Sequence, residues 1–491
     1  MHCRPGVSPG LTAYERREPE HTVLWQCVRE HLPAFLGRAA DTGGSVPAHV
    51  REELERFLTC GILEEGFARV ACEHCGFERL VPFSCKGRGI CPSCIARRMS
   101  DTAAHLVDHV IPQAPMRQWV LSLPMPLRYL LAWQPELVAA VSGIFVETVF
   151  RHLRMVAKRE LRLRRQREAH PGAVCMVQRY GSAVNLNVHL HVLATDGVFV
   201  VDEAGRAEFR ALPAPSRAEV AAVAWEVCER VVVLLRKRGQ WLDAPPENDA
   251  LAETESLLAQ LYAASISGTL VMGPNAGRRQ LRLYGAPARE PEEERSHAKN
   301  GYGFDVDASV RVPAHDRRRL EGLLRYMLRP PLSRSRLTRL EDGGYRIKLK
   351  KAWSDGTTHI ILDGVELIGR LAALIPPPRA HLTRYYGVFA PRAKLRREIV
   401  SREAPSVETV DAESGCSGAS AYVGKTLADS EKGRQRRLSW AQLLARVFAI
   451  DVLRCARCGS RMQRVEWCLR PERIKAVLKA TGPPAVVERA A

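Results

Sequence analysis

Two histidines on one predicted strand are the residues in this sequence best suited to do chemistry. The stretch "VNLNVHLHVLATDGVF", residues 184–199, alternates polar and apolar side chains, so His189 and His191 project from the same face. The opposite face carries valine and leucine and can enter a core. Two imidazoles at this spacing can hold one divalent ion if a third ligand comes from a neighbouring strand. The alternative is a pair of partly exposed histidines that bind no ligand.

The flanking segments offer a third ligand and a nucleophile. Gln178 lies on the preceding predicted strand, "GAVCMVQRYGS", where a hairpin would bring it opposite the histidines. Tyr326 lies on a predicted amphipathic helix, "HDRRRLEGLLRYMLRPP", which Pro330 ends. Beside a metal ion, a phenol can attack a phosphodiester and link itself covalently to DNA. On its own, Tyr326 would be an edge residue of an amphipathic helix, and Tyr385 and Tyr386 in "RYYGVF" are the rival nucleophiles.

Four cysteines in two C-x-x-C pairs predict a structural zinc site: Cys72, Cys75, Cys91 and Cys94. Four thiolates complete a tetrahedron about zinc and leave no open position for chemistry. Cys85 and His74 are spare ligands that could replace one of the four. Near the end of the sequence, "CARC" carries Cys455 and Cys458, but a second complete site there would need ligands from elsewhere.

Charge points to a polyanionic partner. The 491 residues carry a formal charge of +19, which favours nucleic acid or an anionic membrane surface as the partner. A hydrophobic content of 46% is that of a folded chain and excludes a largely disordered one. Basic residues around the cysteines and the tyrosine are predicted to contact DNA: Arg79, Lys86, Arg88, Arg325 and Arg329.

The pattern of elements predicts an α+β protein in three parts after an N-terminal tail at 1–19. A helical zinc-binding, DNA-recognition domain covers 20–110, and an antiparallel sheet with flanking helices covers 111–375. A basic C-terminal region with a zinc-knuckle-like end covers 376–491. The N-terminal residues lack the apolar core of a signal peptide, and no apolar run could span a bilayer. We therefore expect a cytoplasmic protein whose cysteines are thiols or metal ligands.

These motifs together resemble the transposases of the insertion-sequence-91 family. The "HLH" of the strand resembles the HUH motif of single-strand-specific endonucleases, and the cysteine-rich segment resembles the zinc-binding domain of these rolling-circle transposases. Further matching stretches are "RQWVLSLP", "YMLRPPLSRSRL" and "HLTRYYGVFAPRAKLR". The likeness spans roughly residues 45 to 400, with "LLARVFAIDVLRCARCGSRM" beyond it.

The resemblance implies an HUH nuclease core and an enzyme that nicks one DNA strand at the ends of a mobile element. It implies a 5′-phosphotyrosine link, with His189 and His191 as metal ligands and Tyr326 as the nucleophile. Gln178 is the candidate third ligand by strand geometry alone. Magnesium or manganese is expected, because phosphate chemistry suits hard ions. Some members carry two tyrosines separated by three residues; since Pro330 occupies that second position, the sequence resembles the single-tyrosine branch.

Two other functions stay open at this point. The first is a plasmid rolling-circle replication initiator or relaxase, which a third histidine near the pair or a helicase motif would favour. The second is a zinc-dependent DNA-binding protein whose nuclease site is inactive. In each case the expected partner is DNA, single-stranded element ends for a transposase, with no membrane partner. Self-association stays open.

Overall fold

The structure is a computed structural model that describes residues 16–41, 44–240, 249–285, 297–400 and 451–481. Parts of the predicted N-terminal tail and C-terminal region therefore lie outside the described residues. The chain is a mixture of helices and antiparallel strands, so the predicted α+β class is confirmed. No helix in the described ranges combines the length and the apolar character needed to cross a bilayer.

Some of the helices begin after a residue whose side chain accepts a hydrogen bond from a free backbone N–H group of the first turn. Ser216 and Glu219 form a capping box at the start of α6, and the side chain of Asp316 accepts from the N–H of Arg319 at the start of α9. The helices are α1 (Val23–Asp41), α2 (Ala48–Leu58), α3 (Pro92–His109), α4 (Met125–Trp133), α5 (Pro135–Glu160), α6 (Arg217–Lys237), α7 (Ala250–Thr254), α8 (Ser256–Ser267), α9 (Arg317–Met327), α10 (Gly364–Leu374), α11 (Arg396–Ile399) and α12 (Pro471–Thr481).

Within the described ranges, the strands pair antiparallel in four sheets. They are β1 (Phe67–Cys72), β2 (Glu78–Pro82), β3 (Met116–Ser122), β4 (Gly172–Tyr180), β5 (Leu186–Thr195), β6 (Gly197–Val201), β7 (Ala207–Ala211), β8 (Leu281–Tyr284), β9 (His297–Lys299), β10 (Asp305–Asp307), β11 (Arg311–Val312), β12 (Leu337–Arg339), β13 (Tyr345–Lys348), β14 (Thr357–Leu362), β15 (Thr383–Gly387) and β16 (Met462–Cys468).

The largest sheet has the order β15-β4-β5-β3-β10-β9, and β11 also pairs with β3. Its edge strand β15 lies beyond residue 375, where the sequence places the end of the catalytic part. The predicted boundary therefore leaves β15 out of the sheet to which it belongs. Helix α10 lies between β14 and β15, and no local pattern shows that the chain returns to the sheet after it.

Both faces of this sheet are covered by helices. Helices α4, α8 and α10 contact β5 on one side and contribute to the larger apolar cluster. On the other side, α3 and α9 pack on each other and on the ends of β3, β4 and β5. The face of the sheet that carries the histidines therefore packs against a second, smaller apolar core.

The zinc-binding part is not purely helical, and the C-terminal end is not separate from it. Strands β16, β1 and β2 form a three-stranded sheet, so residues 462–468 pair with residues 67–72. Helix α1 packs on α10, and a Cβ on Gly364 would overlap the His31 ring. One apolar cluster also extends across residue 110. Such contacts join segments far apart in sequence, and no local pattern predicts them.

A buried ion pair fixes the sheet beyond the end of β5. Asp196 accepts from Arg117 Nε at 2.6 Å and from Arg311 Nε at 2.6 Å. Asp196 and Arg117 are 6% and 4% exposed, so removal of the charge leaves two guanidinium groups without their partner.

We predict that Asp196→Asn lowers the free energy of unfolding by about 3 kcal/mol, the usual cost of breaking a buried ion pair. Urea unfolding followed by circular dichroism measures the loss. Asp202→Asn is the matched control, since Asp202 pairs with Arg206 in an exposed hairpin turn and its loss should be much smaller. Equal losses for the two variants would show that the Asp196 pair does not stabilise the sheet.

Candidate metal and nucleophile site

The histidine pair lies on the central strand of the large sheet. His189 and His191 project from one face of β5, with ring centroids 4.9 Å apart. The antiparallel hairpin of β4 and β5 pairs Gln178 with His189, so the expected placement of Gln178 opposite the pair is confirmed. On the other side, Ser122 of β3 pairs with His189.

Each imidazole has one nitrogen engaged by the protein. Nδ1 of His189 donates to the carbonyl oxygen of Asn187 at 2.8 Å, which leaves a lone pair on Nε2. Nδ1 of His191 lies 2.8 Å from the side-chain amide of Gln118. The amide nitrogen Nε2 of Gln118 faces the ring in this structure, and rotation of the amide by 180° would bring Oε1 there instead. Oε1 would then accept a hydrogen bond from Nδ1–H, which leaves the lone pair of His191 on Nε2. That Nε2 is buried and has no hydrogen-bond partner.

These donors fit a divalent ion. Oε1 of Gln178 is also buried and without a hydrogen-bond partner, while its Nε2 donates to the carbonyl of Met327 at 2.9 Å. Two imidazole nitrogens and one amide oxygen would leave positions for water and phosphate oxygens, as Mg²⁺ and Mn²⁺ chemistry requires. Among the described residues, no acidic side chain completes a three-ligand group with the pair.

Both histidines are held in the neutral form that binds metal. Burial lowers the pKa of His189 to about 4 and lowers the pKa of His191 well below its ordinary value. The nearby cations Arg329 and Lys350 lower the pKa of both imidazoles further. A neutral imidazole has a lone pair to donate, so the pair is ready for a metal ion at neutral pH.

Tyr326 lies beside the pair on the last turn of α9. Its ring centroid is 6.4 Å from that of His191, and its side chain is 51% exposed, so a substrate can reach the hydroxyl. Cζ of Arg329 lies 3.9 Å from the centroid of the Tyr326 ring. Nε and Nη1 of Arg329 are buried and have no hydrogen-bond partner, so their N–H groups can donate to an anion.

The rival tyrosines lie on the edge strand β15. Tyr385 pairs with Val174, four residues along β4 from Gln178, or about 13 Å at the rise of a strand. Tyr386 packs against the larger apolar cluster, and burial raises its pKa to about 12. The exposed Tyr326 is therefore better placed than Tyr385 or Tyr386 to act as a nucleophile.

The cysteines form two clusters, and neither is the predicted set of four. In the first cluster the ligand atoms are those of Cys60, Cys85, Cys91 and Cys94, and in the second those of Cys72, Cys75, Cys455 and Cys458. Sulfur atoms lie 3.5 Å apart between Cys85 and Cys94 and 3.4 Å apart between Cys72 and Cys458. A tetrahedron with zinc–sulfur bonds of about 2.3 Å requires sulfurs about 3.8 Å apart, so both clusters are close to a zinc site.

The predicted set of four ligands is therefore wrong, because Cys91 and Cys94 belong to the first cluster and Cys72 and Cys75 to the second. Cys60 follows α2 as a lone cysteine, so C-x-x-C spacing could not identify it. Cys455 and Cys458 meet Cys72 and Cys75 because β16 pairs with β1. The ligands missing from "CARC" come from the N-terminal part of the chain.

The structure gives the predicted DNA-contacting residues different surroundings. Arg79 donates to the carbonyl of Val452 at 3.0 Å and so joins β2 to the C-terminal segment. Lys86 is exposed in the loop between Cys85 and Cys91, and Arg88 in the same loop donates to the carbonyl of Ala380 at 2.7 Å. Arg325 and Arg329 lie on either side of Tyr326 at the end of α9. Contact with DNA stays a prediction for all five.

Comparison with known proteins gives the class of the chain. Residues 172–397 match a family model described as "Putative transposase", and residues 27–123 match one described as "Transposase zinc-binding domain". The histidine pair and Tyr326 fall within the first match, and the first cysteine cluster falls within the second. A zinc-binding domain followed by this catalytic domain defines a transposase.

The chain belongs to the insertion-sequence-91 type of transposase. It is similar to the transposase for insertion sequence element IS801 of Pseudomonas savastanoi pv. phaseolicola, with 22% identity over 424 residues. That match covers 84% of this chain and 82% of the relative. No solved structure matches the chain significantly.

We predict that the purified protein binds two zinc ions per chain, one in each cluster. Cys60→Ser and Cys458→Ser should each lower the content to one, because three thiolates hold zinc less tightly than four. Inductively coupled plasma mass spectrometry gives the metal content after dialysis. The control is Cys228→Ser, a buried cysteine outside both clusters, which should keep two ions. One ion in the wild type, unaffected by Cys458→Ser, would contradict the second cluster.

Proposed function

We propose that this transposase nicks and rejoins single-stranded DNA at the ends of its mobile element through a metal-assisted 5′-phosphotyrosine intermediate. The observation that carries the proposal is the placement of Tyr326 beside His191, whose buried Nε2 has no protein partner. His189, His191 and Gln178 would hold a magnesium or manganese ion. Zinc would serve structure alone, since each cysteine cluster supplies four protein ligands.

Tyr326 would act as the nucleophile. Its hydroxyl oxygen forms a bond to the scissile phosphorus, the bond to the 3′ oxygen breaks, and the hydroxyl proton passes overall to that oxygen. A bound divalent ion would polarise the phosphate. Attack by another 3′ hydroxyl reverses the step and joins two strands without ATP, because one phosphodiester replaces another.

Arg329 would bind the phosphate under attack. Its unpaired Nε and Nη1 lie next to the Tyr326 ring, where the two N–H groups can donate to phosphate oxygens in parallel. The hydroxyl of Tyr180 donates to the carbonyl of Arg329 and fixes the backbone beyond the helix end. The guanidinium therefore needs little reorganisation when DNA binds.

Strand β4 holds the nucleophile in place. The amide of Gln178 donates to the carbonyl of Met327, the residue after Tyr326, and thus joins the strand opposite His189 to the end of α9. Pro330 prevents another helical turn. Because Pro330 also occupies the position where a second tyrosine would lie, we propose a reaction that uses one tyrosine per chain.

The two alternative functions are less well supported. Family membership favours a transposase over a plasmid replication initiator or relaxase. An inactive DNA-binding protein has no need for buried, unpaired ligand atoms on His191 and Gln178, since burial of an unsatisfied polar atom costs about 1–3 kcal/mol.

We predict that Tyr326→Phe abolishes covalent attachment to labelled single-stranded DNA from the element ends. The double variant His189→Ala, His191→Ala should do the same, because the phosphate would lose its metal ion. Denaturing gel electrophoresis with magnesium or manganese present detects the adduct. The control is Tyr302→Phe, at an exposed tyrosine whose ring lies at a tilt beside that of Trp225. An adduct that persists in Tyr326→Phe would transfer the role to Tyr385 or Tyr386.

We predict that Arg329→Lys slows single-turnover nicking by about 100- to 1000-fold at saturating DNA, the usual effect of losing a donor to transition-state charge. Lysine keeps the charge and loses the planar pair of donors. Arg318→Lys, at an exposed arginine on the first turn of α9, is the matched control and should nick within a few-fold of wild type. Similar rates for the two variants would exclude Arg329 from the reaction.

A further inference from the structure

A cleft of about 300 Å³ opens beside the metal and nucleophile site. It lies between the zinc-binding region and the large sheet, and it shares Gln178 and Arg329 with the site. Among the other residues that line it are six from α3, the Cys85–Cys91 loop and strands β4 and β15: Arg88, Ile95, Arg98, Met99, Met176 and Tyr385.

We infer that this cleft binds one unpaired nucleotide of the DNA strand, next to the phosphate that Tyr326 attacks. The inference rests on the proposed function, because Gln178 and Arg329 connect the cleft to the scissile phosphate. The proposed function does not specify which part of the protein recognises a base beside the cut, and the cleft would fill that role.

The lining matches the two chemical halves of a nucleotide. Ile95, Met99, Met176 and Tyr385 offer apolar and aromatic surface for a base, which gains about 1–3 kcal/mol from stacking in such sites. Arg88, Arg98 and Arg329 supply cations for the phosphates. The volume is at the lower end of ligand pockets, enough for one nucleotide and too small for a duplex.

Charge in the cleft favours an anion. Among the described residues that line it, none is Asp or Glu. Arg179 also borders the cleft, but it is buried and its guanidinium donates to the backbone carbonyls of Ala132 and Leu374, so it serves the fold. Arg88 and Arg98 are exposed and each donates to one backbone carbonyl, which leaves N–H groups at the rim for a sugar–phosphate backbone.

The first cysteine cluster sets one wall of the cleft. Oε1 of Glu53 accepts from the backbone N–H groups of Arg88, Gly89 and Ile90, which fixes the loop that ends at Cys91. A Cβ on Gly89 would lie 2.8 Å from Ile375, so the loop is seated tightly against the end of α10. The zinc-binding region therefore contributes Arg88 and Arg98 directly to the surface beside the nucleophile.

The test uses full-length protein and single-stranded oligonucleotides of the element end, with each nucleotide replaced in turn by an abasic residue. Fluorescence anisotropy without added divalent ion measures binding apart from chemistry. In the wild type, one abasic position beside the cut should weaken binding by about 5- to 100-fold, the value of one stacked base. Abasic substitution elsewhere should have a smaller effect.

Met99→Trp would fill the cleft, so it should bind the intact oligonucleotide as weakly as the wild type binds the abasic one. The same abasic position should then have no further effect. Met155→Trp, at an exposed methionine of α5, is the matched control and should behave as wild type. Arg98→Ala, at an exposed residue, does not depend on repacking and should lower the salt dependence of binding by about one counterion.

An abasic effect of the same size in Met99→Trp as in the wild type would overturn the inference, and so would the absence of any position-specific effect. The covalent adduct formed by the wild type on intact DNA reports separately on the proposed function. If the adduct forms but no abasic position has a specific effect, nucleotide binding in the cleft is wrong and the proposed reaction stands. If Met99→Trp abolishes a position-specific effect but no adduct forms, the phosphotyrosine reaction is wrong and the cleft remains a nucleotide-binding site.

Discussion

The site depends on the register of β5 between its two neighbours. His189 lies between Ser122 of β3 and Gln178 of β4, and its side chain shares a face with that of His191. A slip of one residue would turn both imidazoles into the larger core and expose Leu190 and Val192, which are now fully buried. Each such side chain contributes roughly 1.5–3 kcal/mol, so the apolar face of β5 maintains the position of the polar one.

Two cysteine clusters connect separate segments of the chain, and those joined by the second cluster lie far apart in sequence. The second cluster joins the β1–β2 hairpin to the "CARC" segment, and β16 completes the same small sheet. The first cluster joins the end of α2 to the start of α3 and orders the loop that carries Arg88. Metal binding and folding are coupled in such sites, so loss of zinc would reach the surface beside Tyr326 as well as the zinc-binding region.

Local patterns predicted the strands and the helix end around the histidine pair, and they predicted the cysteine clusters only in outline. Alternation gave the strand of the histidines and the hairpin with Gln178, and helical periodicity with Pro330 placed Tyr326 at a helix end. The cysteine partners could not be predicted, because Cys60 has no spacing motif and the second cluster depends on pairing between strands almost 400 residues apart. Gln118, which engages His191, gave no signal beyond its place as a polar residue beside Arg117 in a largely apolar strand. Long-range contacts of this kind follow from tertiary packing.

The central claim is that Nε2 of His189 and Nε2 of His191 hold one divalent ion beside Tyr326. Crystals soaked in manganese and measured at its absorption edge would locate the ion by anomalous scattering. The expected result is one manganese peak about 2.1 Å from both Nε2 atoms, with Oε1 of Gln178 as a further ligand. Manganese peaks elsewhere and none between the two imidazoles would contradict the claim.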